Sequence, residues 1–318
     1  PEAKTGKPST RASASPPATS SVASMVMTSP VRTGGSLRDR LCDMRIARLL
    51  ALLALLPTPL LAWGAKGHSV VAEIAERGLS PNVAQQVRDL TFAAPLRNSA
   101  SLPDDWRAQE VRGERQGNTG ALHYSNIPNE IGMFDRARDC KEDQCVVAGI
   151  EKYLAVLRDK TQPKDKRSEA LIYIVHFIGD IHQPMHAAGG QVKNEQTGVM
   201  EPDLGGNRVK VRYLGTETNL HSVWDSMLIE WGPQTVEEYA TYLLEYELRG
   251  RPVAELQTGT PVDWINESNY AAVNYSYRVG NGSLGSDYAK HNIGIVYERL
   301  LRGGLRLRKV LEDALGAP

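Results

Sequence analysis

Cysteine is scarce in this chain of 318 residues, which carries only Cys42, Cys140 and Cys145. That count excludes a disulfide-dense small scaffold and any zinc site built from cysteine alone. Charge of one sign is missing too: 37 Lys and Arg face 37 Asp and Glu. A protein that grips duplex DNA through a basic groove would show a clear excess of positive charge. The longest unbroken apolar run, Leu49 to Leu56, is eight residues, far short of the roughly 20 that a membrane-spanning helix needs. No glycine-rich phosphate loop, internal repeat or serine or cysteine triad motif is present.

Residues 1–43 have little with which to form a core. They are rich in Ser, Thr, Ala, Pro and Gly and nearly devoid of large apolar side chains, a composition that cannot offset the entropy of folding. At Met44 the character changes. Met44-Arg-Ile-Ala-Arg is basic, the apolar run follows, Pro57 and Pro59 break it, and Leu60-Leu-Ala62 closes it. This is the layout of a secretory signal peptide over 44–62, with cleavage expected after Ala62. Met44 is then the expected start, and 1–43 a disordered or non-native upstream segment. The remaining stretch, 63–318, is long enough for one large domain. It holds 29 basic and 34 acidic residues, a mild acidity that lacks the footprint of a duplex-DNA binder; if the substrate carries phosphates, metal ions are the cations expected to meet them. Cys140 and Cys145 alone survive cleavage, and an even pair in an exported chain reads as a disulfide closing a small loop. The chain is expected to be periplasmic or secreted, without stable membrane association, and monomeric.

Histidine is concentrated where cysteine is not. Three of the seven histidines fall in His176-Phe-Ile-Gly-Asp-Ile-His-Gln-Pro-Met-His186. The preceding run from Glu169 to Val175 has no breaker and reads as a buried helix. It places His176 and Asp180 on one face, four residues apart. Pro184 disfavours helix at Gln183, so the chain turns there and His186 approaches from a new direction. An apolar helix has little reason to bury His beside Asp unless something pairs with them. Asn219-Leu-His221-Ser-Val-Trp-Asp225 repeats the spacing. Nitrogen and carboxylate donors of this kind suit Zn²⁺.

The rest of the pattern is helical. A helix is expected from about Trp63-Gly-Ala-Lys-Gly-His68, another after Ser80-Pro81 with serine as its cap, and another over 145–157. Residues 93–130 read as irregular and 189–207 as a loop. Arg208 to Leu214 alternates, as one strand of a small β-hairpin would. Beyond Thr235 the pattern is helical, broken near Arg249 and at 280–285. The expected fold is all-α in a single domain.

Four motifs stand in order: Trp63-Gly-x-x-Gly-His68, whose tryptophan opens the expected mature chain, the His176–His186 motif, Gly205-Gly-Asn207 and Asn219–Asp225. Together they closely resemble the zinc-dependent single-strand-specific nuclease and 3′-nucleotidase family of the S1/P1 type, whose fold is related to that of zinc-dependent phospholipase C. The resemblance runs from Trp63 to about residue 310. It implies three Zn²⁺ ions. One would be held by Asp104, His123, His176 and Asp180. A second would be held by Asp180, His68 and the amine and carbonyl of Trp63, and a third by His186, His221 and Asp225. Arg107 matches the arginine that meets phosphate. Leu102-Pro103 stands where the family has Trp-Ala, Trp106 replaces an isoleucine, and Asp105 is a neighbouring rival to Asp104.

The implied activity is zinc-dependent hydrolysis of single-stranded DNA, RNA and 3′-nucleotides to 5′-phosphate and 3′-hydroxyl products, with Arg107 and Asp180 as catalytic residues. Tyr124 could stack on a base of any identity or simply pack beside the metals. Asn126 stands where fungal relatives carry aspartate, and Asn207 would line the same pocket. His182 is expected to support the site structurally and His291 to lie on the surface, as is the Arg299–Lys309 stripe. Sequons at Asn266, Asn274 and Asn281 matter only in a eukaryotic secretory pathway, and a bacterial source is expected. Two alternatives remain open: a phospholipase C, and a non-catalytic exported metal-binding protein.

Overall fold

The computed structural model describes residues 63–316; the segment 1–43 and the stretch 44–62 expected to be a signal peptide lie outside the described residues. The organising element is helix α5, Lys164–His182. Ahead of it come α1 (Ala65–Arg77), α2 (Pro81–Leu90), α3 (Leu102–Val111) and α4 (Val146–Arg158). After it come strands β1 (Gln191–Lys193), β2 (Met200–Pro202), β3 (Lys210–Tyr213) and β4 (Thr216–Asn219), then helices α6 (Val236–Tyr242) and α7 (Pro261–Ala271). Strand β5 (Ser283–Leu284) and the long helix α8 (Ser286–Leu315) complete the described chain. The architecture is all-α with small sheets attached, as the sequence pattern implies.

Helix α5 is surrounded. It packs against α1, α2, α3, α4, α7 and α8, and every residue from Tyr173 to His182 is buried. A helix that is apolar all round belongs in the middle of a fold. Leu171, Ile174, Val175, Phe177, Ile178 and Ile181 are fully enclosed, and their burial is worth on the order of 10 kcal/mol. That offsets the cost of burying the histidines and aspartate of the same helix. As the proline implies, α5 stops at His182: Gln183 is extended (φ −84°, ψ 120°) and Pro184–Ala187 forms a separate 3₁₀ turn.

Strands β3 and β4 form the expected hairpin, paired Lys210 to Asn219 and Tyr213 to Thr216. Leu214 and Gly215 turn it with φ of 49° and 88°, the left-handed pair that a two-residue hairpin turn needs. β5 adds to β3 in parallel. Cys140 and Cys145 form a disulfide.

Four expectations need correction. Residues 93–130 are not wholly irregular, since α3 lies within them; it buries only Pro103 and Asp104, so no apolar period announces it. The 189–207 loop contains the β1–β2 hairpin, whose residues are mostly exposed and therefore show no alternation. Ser80 does not cap α2 with its side chain, because its hydroxyl donates to Glu312 Oε2 at 2.9 Å.

The Arg299–Lys309 stripe is not a solvated face. Arg299 and Arg306 are 4 % and 1 % exposed, and both reach Glu267 of α7 at 2.7 Å. They lie seven residues apart, on the face of α8 that turns inward. Arg299 Nε also donates to the carbonyl of His182, and an Arg306 guanidinium nitrogen lies 3.0 Å from His182 Nε2. His182 is thus structural, held at the end of α5 and facing α8, while His291 is exposed.

Burial raises the Glu267 pKa, but Arg306 and Arg299 outweigh it and hold the carboxyl down at about 2. A depressed carboxylate pKa stabilises the fold fully above the ordinary range near 4.5 and loses that contribution as pH falls through about 2. Glu267→Gln leaves two buried guanidinium groups unpaired. It is expected to cost about 3 kcal/mol at neutral pH, kept to the low end because Glu267 is partly exposed. Urea unfolding of both proteins checks this: the difference should shrink as pH is lowered from 5 towards 2.

Candidate metal centre

The end of α5 delivers His176 and Asp180 into one buried space, and four other segments bring their donors to meet them. His68 comes from the first turn of α1, Asp104 from α3, His123 from the 3₁₀ turn Gly120–His123, and His186 from the turn after Pro184. His221 and Asp225 follow β4. There Val223–Met227 is a π-turn, with Leu228 N donating to Val223 O at 2.9 Å. Such turns are rare and concentrate at functional sites.

Asp180 is the hub. Its Oδ2 lies 3.1 Å from His123 Nδ1 and 3.2 Å from His176 Nε2, and its Oδ1 lies 3.3 Å from His186 Nδ1 and 3.5 Å from His68 Nε2. Asp104 Oδ1 stands 3.7 Å from both His123 Nδ1 and His176 Nε2 and 3.3 Å from an Arg107 nitrogen. Of the two adjacent aspartates, Asp104 is buried against the histidines and Asp105 is exposed. Nearby, His221 Nε2 and Asp225 Oδ2 are 3.1 Å apart.

Among the described residues three donor groups converge: His68, Asp104 and His176; His123, His176 and Asp180; and His186, His221 and Asp225. The last matches the third expected site. The first two share His176, and the His68 and His176 rings stack at 4.0 Å, so the two other expected sites form one continuous cluster. Trp63 is fully buried, and the next residue, Gly64, donates from its backbone N to Asp225 O at 2.7 Å.

A metal fits these residues. His176 Nδ1 donates to Ala100 O, His186 Nδ1 to His123 O and His221 Nδ1 to Gly205 O, at 2.9, 2.7 and 2.6 Å. Each such bond fixes the tautomer and leaves the Nε2 lone pair aimed inward, as metal-ligating histidines require. Neither ring nitrogen of His68 has a hydrogen-bond partner, nor has His123 Nε2 or Asp180 Oδ1, although all are buried. Buried polar atoms without partners are costly, and a cation between His68 Nε2 and Asp180 Oδ1, which lie 3.5 Å apart, would supply a partner to both.

The electrostatics divide the donor histidines: burial lowers all of them, but Asp180 and Asp104 lift His176, and Asp225 lifts His221, above the usual range. Burial, reinforced by neighbouring imidazoles, holds His68, His123 and His186 well below the usual histidine range, which keeps them in the neutral, ligating form. Burial also pushes the Asp180 carboxyl up to about 7 against the pull of His176, and raises Asp225. Carboxyls so destabilised as anions call for positive charge.

The donors open onto a cleft lined by Arg107, Tyr124, Asn126, His186, Leu204 and Asn207, among others. Tyr124 is 38 % exposed, more than a tyrosine packed only against the donors would be. The structure brings the donors His68, Asp104, His123, His176, Asp180, His186, His221 and Asp225 together and sets Arg107, Tyr124, Asn126 and Asn207 in the cleft, while Trp63 is buried just ahead of α1 and Cys140 and Cys145 form their disulfide. Sequence reasoning passed over Gly179. A Cβ there would stand 2.5 Å from His68 Nδ1 and 2.9 Å from His68 Cε1, closer than real contacts allow. Gly179→Ala is expected to push His68 out of place at a cost of about 1–3 kcal/mol. Elemental analysis should find the His68 metal missing while the protein remains helical by circular dichroism.

The chain has relatives that share this centre's sequence span. A family model described as S1/P1 Nuclease matches residues 63–316. Endonuclease 4 of Arabidopsis thaliana is 32 % identical over 294 residues, covering 83 % of this chain and 93 % of the relative. Endonuclease 3 of the same plant is 30 % identical over 281 residues, covering 81 % and 90 %. Nuclease P1 of Penicillium citrinum is 26 % identical over 283 residues, covering 80 % and 98 %. The family match spans the donors from His68 to Asp225 and continues through the helix that encloses them: the chain belongs to the S1/P1 nuclease family.

Proposed function

We propose that residues 63–318 form an exported, zinc-dependent nuclease. It hydrolyses single-stranded DNA and RNA to products with 5′-phosphates, and removes phosphate from 3′-nucleotides. The observation that carries this reading is the placing of three His/Asp donor groups beside a cleft that offers both a guanidinium and a half-exposed aromatic ring. Asp104, His123, His176 and Asp180 hold one zinc; Asp180, His68 and the Trp63 terminus a second; His186, His221 and Asp225 a third. When bound, zinc supplies a Lewis acid and an activated water at neutral pH.

The chain's own residues do the rest. Arg107 has its guanidinium 3.3 Å from Asp104 Oδ1, which keeps it at the edge of the donors as a planar fork for phosphate oxygens. The exposed Tyr124 ring offers a stacking face that any unpaired base accepts and a paired base cannot reach. Asn126 and Asn207 line the cleft beside it and supply neutral hydrogen-bonding groups to a base edge. Export, with cleavage after Ala62, accords with the Cys140–Cys145 disulfide.

The test is hydrolysis of single-stranded DNA, RNA, a blunt DNA duplex, 3′-AMP and phosphatidylcholine under one salt condition, before and after chelation. The first two and 3′-AMP should be cut, the duplex slowly, the phospholipid not at all, and chelation should abolish every activity. Equal rates on the duplex and its separated strands overturn the single-strand preference. Turnover of phosphatidylcholine alone would assign a phospholipase, and no turnover of any substrate a metal-binding protein.

A further inference from the structure

Nothing in the proposed chemistry uses Gln183, the first residue beyond α5. It is fully buried. Its backbone N donates to Asp180 O at 2.9 Å, and its backbone carbonyl accepts from His186 N at 3.1 Å. Its side chain makes two bonds. The carbonyl oxygen accepts from Met185 N, and the amide nitrogen donates to Asp225 Oδ1, across 42 residues of sequence.

These two bonds fix one another. A carboxamide has one acceptor oxygen and one donor nitrogen. With the oxygen committed to the Met185 N–H, the nitrogen has to face Asp225. Asp225 in turn has one oxygen occupied by that amide, and its other oxygen, Oδ2, is the one 3.1 Å from His221 Nε2. His186, three residues beyond Gln183, sits in the same 3₁₀ turn that the Gln183 side chain begins. A glutamine serving only to shape this turn would need the Met185 bond alone.

We infer that Gln183 is a positioning residue for the His186–His221–Asp225 group: it braces the turn carrying His186 against Asp225 and aims Asp225 Oδ2 at the metal. The inference rests on the reading that this group holds a metal. Hydrogen bonds to a carboxylate are among the stronger ones in proteins, and partners that orient a ligand typically govern metal affinity by about 10–100-fold.

Two substitutions test it. Gln183→Met keeps the length and removes both bonds. Gln183→Glu keeps the shape and an acceptor for Met185 N–H, but sets a second carboxylate against Asp225. Each protein, beginning at Trp63, is loaded with zinc, counted by elemental analysis and titrated with a chelator. Both variants should release one metal about 10–100-fold more readily than wild type, Gln183→Glu the more so, while the other two stay as tightly held. Wild-type chelator resistance for all metals in a folded variant overturns the inference. So does equal weakening of all of them, which would mean a general loosening of the fold. If Gln183→Met does not fold, the isosteric Gln183→Glu carries the test. The wild-type metal count judges the three-zinc reading by itself; only the difference between wild type and variant judges Gln183.

Discussion

Asp180→Asn is expected to lower kcat/KM by about 10³-fold or more, the largest effect of any single substitution in the centre. The substitution is nearly isosteric, so helix α5 keeps its packing and the consequence is electrostatic. Asp180 places its two oxygens within 3.5 Å of nitrogens from His68, His123, His176 and His186. It reaches histidines of both donor sets at the end of α5, His68 of one and His123 and His176 of the other. An amide there removes the negative charge at the centre of the histidine cluster, which would weaken the hold on any cation bound there, and adds N–H groups close to imidazole nitrogens. A loss of about 4 kcal/mol in transition-state stabilisation corresponds to the stated factor at 1.36 kcal/mol per tenfold. The count of bound metals should fall as well. Kinetics and elemental analysis on the same preparation check both, with circular dichroism as a control for the fold. A folded Asp180→Asn protein that keeps its full metal count and a rate within tenfold of wild type would show that the shared carboxylate is not the hub.

What the sequence made legible, and what it hid, follows from the range of the interactions. The His176–His186 motif was readable because helical spacing and a proline act locally: His176 and Asp180 share a face by periodicity, and Pro184 turns the chain for His186. The β3–β4 hairpin was readable because its burial alternates along the strand. Arg299 and Arg306 were misread as solvated because their partner, Glu267, lies more than 30 residues away on another helix, and nothing in the local pattern separates a buried guanidinium from an exposed one. Helix α3 escaped because a polar helix with two buried residues has no apolar stripe. Gln183 escaped for the same reason as the arginines, since its partner Asp225 is far away in sequence. Gly179 was visible as a letter, but the need for a glycine arises only when His68 of α1 is laid against α5. Residue types and local periodicity thus located the donors; the groups that hold them in place were set by contacts between elements.

Processing should decide whether the His68 site is complete. Protein beginning at Trp63 is expected to hold one more metal, and to turn over substrate faster, than protein carrying a single extra alanine before it. The argument starts from the backbone. The Trp63 side chain is fully buried, and Gly64 N is tied to Asp225 O at 2.7 Å. Gly64 O in turn accepts from Gly67 N at 2.8 Å and His68 N at 3.4 Å as α1 begins. A Cβ on Gly64 would stand 2.6 Å from Ser226 Oγ, so this entry to the helix is closely fitted. The chain is therefore anchored at Gly64, directly after Trp63, by bonds that do not depend on what precedes Trp63. What changes on cleavage is the chemistry of its nitrogen. A free amine has a pKa near 8 and gives up its proton to a metal close to neutral pH. The amine nitrogen and carbonyl oxygen of one residue close a five-membered chelate, whereas an amide nitrogen has its lone pair committed to the peptide bond. Both proteins should fold with the same unfolding midpoint once stripped of metal, because the indole and the Gly64 bonds are common to them. They should differ in the most easily chelated zinc, which the extended protein is expected to hold at least about tenfold more weakly. Equal zinc content and equal turnover in the two would rule out the terminal amine as a ligand and leave His68 and Asp180 to hold that metal with water.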